Sequence, residues 1–233
     1  MTSPAVSITS LSHAWPGADL TLKIERFEVA AGESVFLVGP SGSGKSTLLG
    51  LIAGVTPVQS GRIEVLGQPM LAEKSQKRDA IRASRLGVIF QMFNLVPFLS
   101  AMENVLLPLQ FSPERRQRLE AMGRDGPAEA RRLLRELRLD DTSLTKTATD
   151  LSVGQQQRVA AARALIGGPG LVIADEPTSA LDRSARDSFI ALLMQECSAS
   201  GAALLFVSHD EALAAHFDRK VDLCEINRAG VHA

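Results

Sequence analysis

Three stretches of the chain are short and almost continuously apolar: Val35 to Val38, Leu171 to Ala174 and Ala203 to Val207. Runs of that length without polar interruption fit parallel strands covered on both faces. Between them the apolar spacing is helical. Ser46 to Ala53 carries such a pattern and stops at Gly54 with Pro57 beyond, so the first run reads as strand, loop, helix. Nearer the start, Ile8, Leu20, Leu22, Ile24, Phe27 and Val29 alternate with polar residues, as does Gly61 to Gly67. Alternation predicts strands with one wet face, here a small antiparallel sheet beside the parallel core. From about Ser100 to Leu165 the pattern is helical, with Leu133, Leu134 and Leu137 as an apolar stripe among many arginines. The expected architecture is α/β: a mainly parallel sheet, a small N-terminal antiparallel β subdomain, and a helical subdomain of about residues 91–165 inserted between core segments 1–90 and 166–233, all within one domain.

Composition narrows this without redirecting it. A chain of 233 residues with 45% hydrophobic content can bury a full core. Its 25 basic and 26 acidic side chains leave a net charge of −1, so no global electrostatic attraction to nucleic acid is expected. The arginines between Glu114 and Arg138 are interspersed with acids and read as a solvated helix face. Cys197 and Cys224 sit in apolar surroundings without metal-ligand spacing and read as buried, reduced thiols. Residues Met1 to Trp15 lack the basic-then-apolar order of a signal peptide, and no apolar run approaches the ~20 residues of a spanning helix, so a soluble cytoplasmic chain without membrane insertion is expected. No 20 to 50 residue repeat and no appended regulatory domain are read.

The loop after the first apolar run is Gly39-Pro40-Ser41-Gly42-Ser43-Gly44-Lys45-Ser46-Thr47, which satisfies G-x-x-x-x-G-K-[ST] between a strand and a helix. Glycines let successive backbone N–H groups turn inward toward phosphate oxygens, and the helix N-terminus adds a favourable dipole. In such a loop Lys45 reaches the β- and γ-phosphates, Ser46 offers its hydroxyl to Mg²⁺, and Thr47 can add a phosphate contact. The second run ends in Asp175-Glu176, at the strand edge where α/β folds bind ligands. Asp175 is placed to hold the metal, through water since Mg²⁺ keeps much of its hydration shell, and Glu176 to orient or deprotonate an attacking water.

Kinases, small GTPases and helicases share these two motifs, so the decision falls on Asp150-Leu151-Ser152-Val153-Gly154-Gln155-Gln156-Gln157-Arg158. Ser152 followed by Gln155 is a capping-box pattern opening a helix, which makes a second anion-binding helix end. This segment resembles the signature of the ATP-binding cassette family, usually Leu-Ser-Gly-Gly-Gln, with Val153 replacing the first glycine and Gly154 retained. The resemblance covers nearly the whole chain and implies ATP and Mg²⁺ as ligands. It also implies ATP hydrolysis in a head-to-tail dimer, in which Ser152, Val153, Gly154 and Gln155 of one copy complete the phosphate loop of the other. By the same resemblance Gln91 is the Q-loop glutamine that can reach Mg²⁺. Asp182, in Ser179-Ala180-Leu181-Asp182, lies in the D-loop at the dimer interface. His209 is the switch histidine at the γ-phosphate. Trp15 stands where the family carries an aromatic that stacks on adenine; a partly buried core tryptophan is the alternative.

The segment Phe90 to Val105 is similar to the region by which export-type bacterial motors grip a coupling helix of a membrane permease, particularly in the lipoprotein-release, macrolide-efflux and cell-division group. Ordinary packing of the helical subdomain is the alternative reading of its apolar residues. The permease would hold the chain at the cytoplasmic face of the inner membrane. A soluble cassette ATPase of translation or DNA repair competes, but those relatives carry tandem cassettes or long coiled-coil insertions. A non-hydrolytic regulatory module competes too, against the presence of Glu176 and His209.

Overall fold

The computed structural model describes residues 3–70, 75–178 and 183–229. Along the chain run β1 (Val6–Ala14), β2 (Leu20–Val29), β3 (Ser34–Val38), α1 (Lys45–Ile52), β4 (Ser60–Val65), β5 (Gln68–Pro69), α2 (Ser75–Arg85), β6 (Leu86–Ile89) and α3 (Ala101–Phe111). There follow α4 (Pro113–Ala121), α5 (Gly126–Glu136), α6 (Val153–Leu165), β7 (Leu171–Asp175), α7 (Arg183–Ser200), β8 (Ala203–Val207), β9 (Arg219–Asp222) and α8 (Leu223–Ile226).

The three apolar runs are β3, β7 and β8, and they lie side by side in a parallel sheet of order β6-β7-β8-β3-β9. Their continuous hydrophobicity has a direct cause: each strand faces two cores. Val35, Leu37, Leu171, Ile173, Leu205 and Val207 point into one core shared with α1 and the antiparallel sheet. Phe36, Val38, Val172, Ala174, Leu204 and Phe206 point the other way, into a core shared with the helices. There the rings of Phe36 and Phe206 stack at 6.0 Å, and each meets Phe217 at 5.1 Å. The alternating segments form the expected second sheet, of order β2-β1-β4-β5. Leu133, Leu134 and Leu137 are buried as the stripe predicts, beside Val159 to Ala162 of α6.

Two expectations need correction. The arginines of α4 and α5 are not simply a solvated face. Arg115 is 2% exposed: its Nε donates to Ala83 O at 2.8 Å, and its two terminal nitrogens donate to Ile166 O and Leu86 O. These carbonyls end α2, enter β6 and cap α6, so one guanidinium fork satisfies acceptors that three elements leave open. Arg132 bridges the buried carboxylates of Glu129 and Glu196, both at 2.9 Å, tying α5 to α7. Cys224 is exposed, while Cys197 is buried and its thiol is pushed up to about 12 by that burial, with the charge of Glu196 adding to the shift. The parallel sheet extends beyond the three apolar runs. β9 adds a fifth parallel strand beside β3, and its sequence, Arg-Lys-Val-Asp, offers only Val221 to the core because an edge strand needs no second apolar face.

Candidate functional site

Because the strands are parallel and β8 lies between β7 and β3, the C-terminal ends of all three converge. β3 runs into the phosphate loop and α1, β7 into Asp175 and Glu176, and β8 into His209. The phosphate loop thus meets segments more than a hundred residues further along the chain.

Gly44 caps α1 at φ 100°, a left-handed conformation, and a Cβ there would lie 2.7 Å from Leu22 Cδ2 on β2. Backbone freedom and close approach both call for glycine. The helix starts at Lys45, one residue earlier than its apolar pattern predicts. Lys45 is 7% exposed, and its ammonium donates to Gly39 O at 2.7 Å and Pro40 O at 2.9 Å, so the loop from Gly39 through Pro40, Ser41, Gly42 and Ser43 curls around its own lysine. Ser43 Oγ is buried with no hydrogen-bond partner among the described residues, which fits a loop built to take a phosphate oxygen. Asn227, which no motif announces, steadies the loop from outside: its amide donates to Ser43 O at 3.2 Å and Thr21 O at 3.0 Å while its oxygen accepts from Lys23 N.

At the end of β7, Asp175 lies beside the Ser46 hydroxyl. Burial raises the Asp175 carboxyl above its ordinary range; the nearby Ser46 hydroxyl opposes that, and the neighbouring charge of Glu176 adds to it. Two hard oxygen donors beside an under-compensated negative charge suit Mg²⁺. Glu176 lies beyond at φ 45°, a left-handed backbone for a residue with a Cβ, held by its N–H to Val207 O at 3.0 Å. Its Oε1 is 2.5 Å from His209 Nε2. Lys45, Ser46, Asp175, Glu176 and His209 are thus brought together. Gln91 lies exposed in the turn after β6, and its side chain makes no hydrogen bond among the described residues.

Trp15, just after β1, is 47% exposed, and its indole N–H donates to Thr47 Oγ1 at 3.3 Å. The signature stands elsewhere. Ser152 N-caps α6 and forms the capping box with Gln155: Gln155 N–H to Ser152 Oγ at 3.3 Å, Ser152 N–H to Gln155 Oε1 at 2.9 Å. The Gln155 amide also donates to Ser143 Oγ at 2.9 Å and Asp140 Oδ2 at 3.2 Å, so this side chain is committed to holding the helix end. Ser152 and Val153 are exposed and Gly154 is half-buried, leaving the first N–H groups of α6 at the surface. Ser179 to Asp182 lie outside the described residues.

Beyond Gln91 the chain borders a groove of 690 Å³ whose lining includes Phe90, Asn94, Leu107, Pro108, Phe111 and Arg163. Met92, Phe98 and Phe111 are exposed along this side of the sequence. The loop is rigid underneath: buried Asn104 accepts from Val96 N–H at 2.8 Å and donates to Val96 O, Leu99 O and Ser100 O at 3.1 Å. Among the described residues no helix is long and apolar enough to cross a membrane.

Residues 22–179 match the family described as ABC transporter. The chain is 40% identical over 228 residues to a lipoprotein-releasing system ATP-binding protein, LolD 2, of Rhodospirillum rubrum, covering 97% of this chain and 96% of that protein. It is 42% identical over 221 residues to the LolD of Anaeromyxobacter dehalogenans, covering 94% and 84%. A solved dimer of the ATP-binding cassette MJ0796 in a post-hydrolysis state with ADP and phosphate superposes with a TM-score of 0.81 at 31% identity, covering 93% of each chain. By its match to that family over residues 22–179 and its 40% identity to LolD 2 across nearly the whole of both chains, the chain belongs to the ABC transporter family, as its nucleotide-binding, ATP-hydrolysing subunit.

Proposed function

We propose that this chain powers a separate membrane permease by closing as a head-to-tail dimer on two molecules of Mg-ATP and reopening after hydrolysis. The observation that carries the reading is the exposed, capped N-terminus of α6: its anion-binding end is built and rigid, yet Ser152 and Gln155 spend their hydrogen bonds on each other, Asp140 and Ser143 rather than on this chain's own phosphate loop. A ligand bridging it to a second copy's loop satisfies both anion sites at once. The cassette dimers among its structural relatives support that arrangement.

Within each site Lys45 exchanges its loop carbonyls for phosphate oxygens as ATP enters, and the loop N–H groups with Ser43 Oγ take the remaining phosphate lone pairs. Ser46 and Asp175, with Gln91 from the neighbouring loop, would hold Mg²⁺, which offsets charge on the phosphates. Glu176 accepts a proton from the water that attacks the γ-phosphorus; the bond from that phosphorus to the bridging oxygen breaks, and ADP and phosphate result. His209 orients the Glu176 carboxylate and the water. Trp15 stacks on adenine, and Asp182 meets the opposite subunit.

The groove beside Phe90 and Phe111 takes an amphipathic helix from the permease, docking near Gln91 to Val105. This would hold the chain peripherally at the cytoplasmic face of the inner membrane. The LolD relatives support work of the lipoprotein-release kind, extracting or exporting lipid-linked cargo or transmitting force across the membrane. The helical subdomain of about 91–165 would then act as the arm between ATP and permease.

The split site is tested with Gly154→Asp. An acid in the first turn of a helix does not harm folding, but it sets a negative charge where phosphate must approach. The variant should bind ATP as a monomer, read by Trp15 fluorescence, and fail to dimerise with ATP in light scattering. Loss of monomer binding, or ATP-driven dimerisation as in the wild type, would contradict the proposal.

A further inference from the structure

We infer that His13 is a positioning residue for the nucleotide base, holding the Trp15 indole upright so that its open face receives a purine. The inference rests on the reading of Trp15 as the base platform. His13 is 2% exposed on β1, and neither ring nitrogen has a hydrogen-bond partner among the described residues. Burying two polar atoms unpaired is unfavourable, and a leucine would fill the space without that cost. What the imidazole supplies that leucine lacks is a flat aromatic partner. Its ring lies 5.2 Å from the Trp15 ring at 85°, the perpendicular arrangement that ring quadrupoles favour. Burial lowers its pKa, which keeps the ring neutral and that contact intact.

Two further contacts fix the same strand end. The Gln59 side chain clamps Ala14 between the two rings, accepting from Ala14 N–H at 2.9 Å and donating to Ala14 O at 2.8 Å, just where the β1 register shifts. The indole N–H reaches Thr47 Oγ1 in α1. Trp15 is therefore held from below by His13, along the backbone by Gln59, and at its polar edge by the helix that follows the phosphate loop. A side chain that is half exposed yet pinned at two points, on a strand end that Gln59 fixes, is pre-organised, so ATP does not have to order it on binding.

Trp15 is the single tryptophan of the chain, so its fluorescence reports on this contact alone. Full-length wild type, His13→Leu and His13→Phe are titrated with ATP, and steady-state ATPase is measured alongside. Wild-type emission should change on ATP binding. His13→Leu should weaken ATP binding and raise KM about fivefold, the loss of one aromatic pair, with kcat within about twofold. His13→Phe, which keeps a flat ring and removes the unpaired nitrogens, should restore both. Equal affinity in the wild type and His13→Leu overturns the inference, as does failure of His13→Phe to rescue while its thermal stability matches the wild type. If wild-type emission ignores ATP, the platform reading of Trp15 is itself wrong, and the inference falls with it.

Discussion

His209 Nε2 lies 2.5 Å from Glu176 Oε1, and the glutamate that it meets sits on a left-handed backbone at φ 45°. The two observations have one origin. Glu176 follows β7 and His209 follows β8, adjacent strands that both end at the site, and Glu176 N–H is held by Val207 O at the end of β8. The turn that aims the carboxylate at His209 puts its own Cβ against the following carbonyl.

That strain gives an unusual order of variants. Replacing Glu176 with alanine or with glycine should abolish hydrolysis alike, since each removes the carboxylate. The glycine variant should nevertheless be the more stable by about 1 kcal/mol, because glycine adopts φ 45° without steric cost. Urea unfolding of the two variants measures the difference; an alanine variant equal to or more stable than glycine would remove the strain argument.

Arg115 is the buried joint of the helical arm. Burial pushes its guanidinium down to about 10, still charged at neutral pH, so its bonds to Ala83 O, Leu86 O and Ile166 O are charge-assisted. Arg115→Met should lower stability by at least about 2 kcal/mol by leaving buried carbonyls unpaired. Arg115→Lys should recover little of it, since a single ammonium cannot span the fork. A thermal midpoint unchanged in Arg115→Met would show the fork to be dispensable.

Acid sensitivity should trace partly to Asp218. Its Oδ2 accepts from the Ser34 hydroxyl at 2.7 Å and Ser34 N–H at 2.8 Å, bonds that hold its carboxyl below the ordinary range and anchor the start of β3. A lowered folded-state pKa means stabilisation that is complete above the unfolded value, about 4, and is lost as pH falls through the folded one. Asp218→Asn should therefore be less stable than the wild type at pH 7 and show a shallower decline between pH 5 and 2. Parallel acid unfolding curves would refute this.

The candidate site was largely legible in the sequence, because phosphate chemistry demands fixed residue types at fixed spacing: Gly39 to Thr47, Asp175-Glu176 and Ser152 to Gln155 all announce themselves locally. The strands β3, β7 and β8 were readable for a related reason, since burial on both faces leaves no room for polar residues. What was hidden depends on distant acceptors. Arg115 looks like any surface arginine until Leu86 O and Ile166 O, 29 and 51 residues away, are brought to it. Asn227 secures Ser43 from 184 residues away with no motif around it. The edge strand β9 has one apolar residue and no alternation to detect. His13 carries no signal in the sequence, because its meaning lies in the angle it makes with Trp15.

The most direct test of the account is Glu176→Gln, measured for phosphate release and for oligomeric state in the presence of Mg-ATP. The amide keeps the size of the side chain but cannot accept the proton of the attacking water. The account predicts turnover reduced at least about a hundredfold, the lower end of what a general base contributes, together with an ATP-bound dimer that persists because its bridging phosphates are no longer cleaved. Turnover within a few-fold of the wild type, or a chain that stays monomeric with ATP, would contradict it.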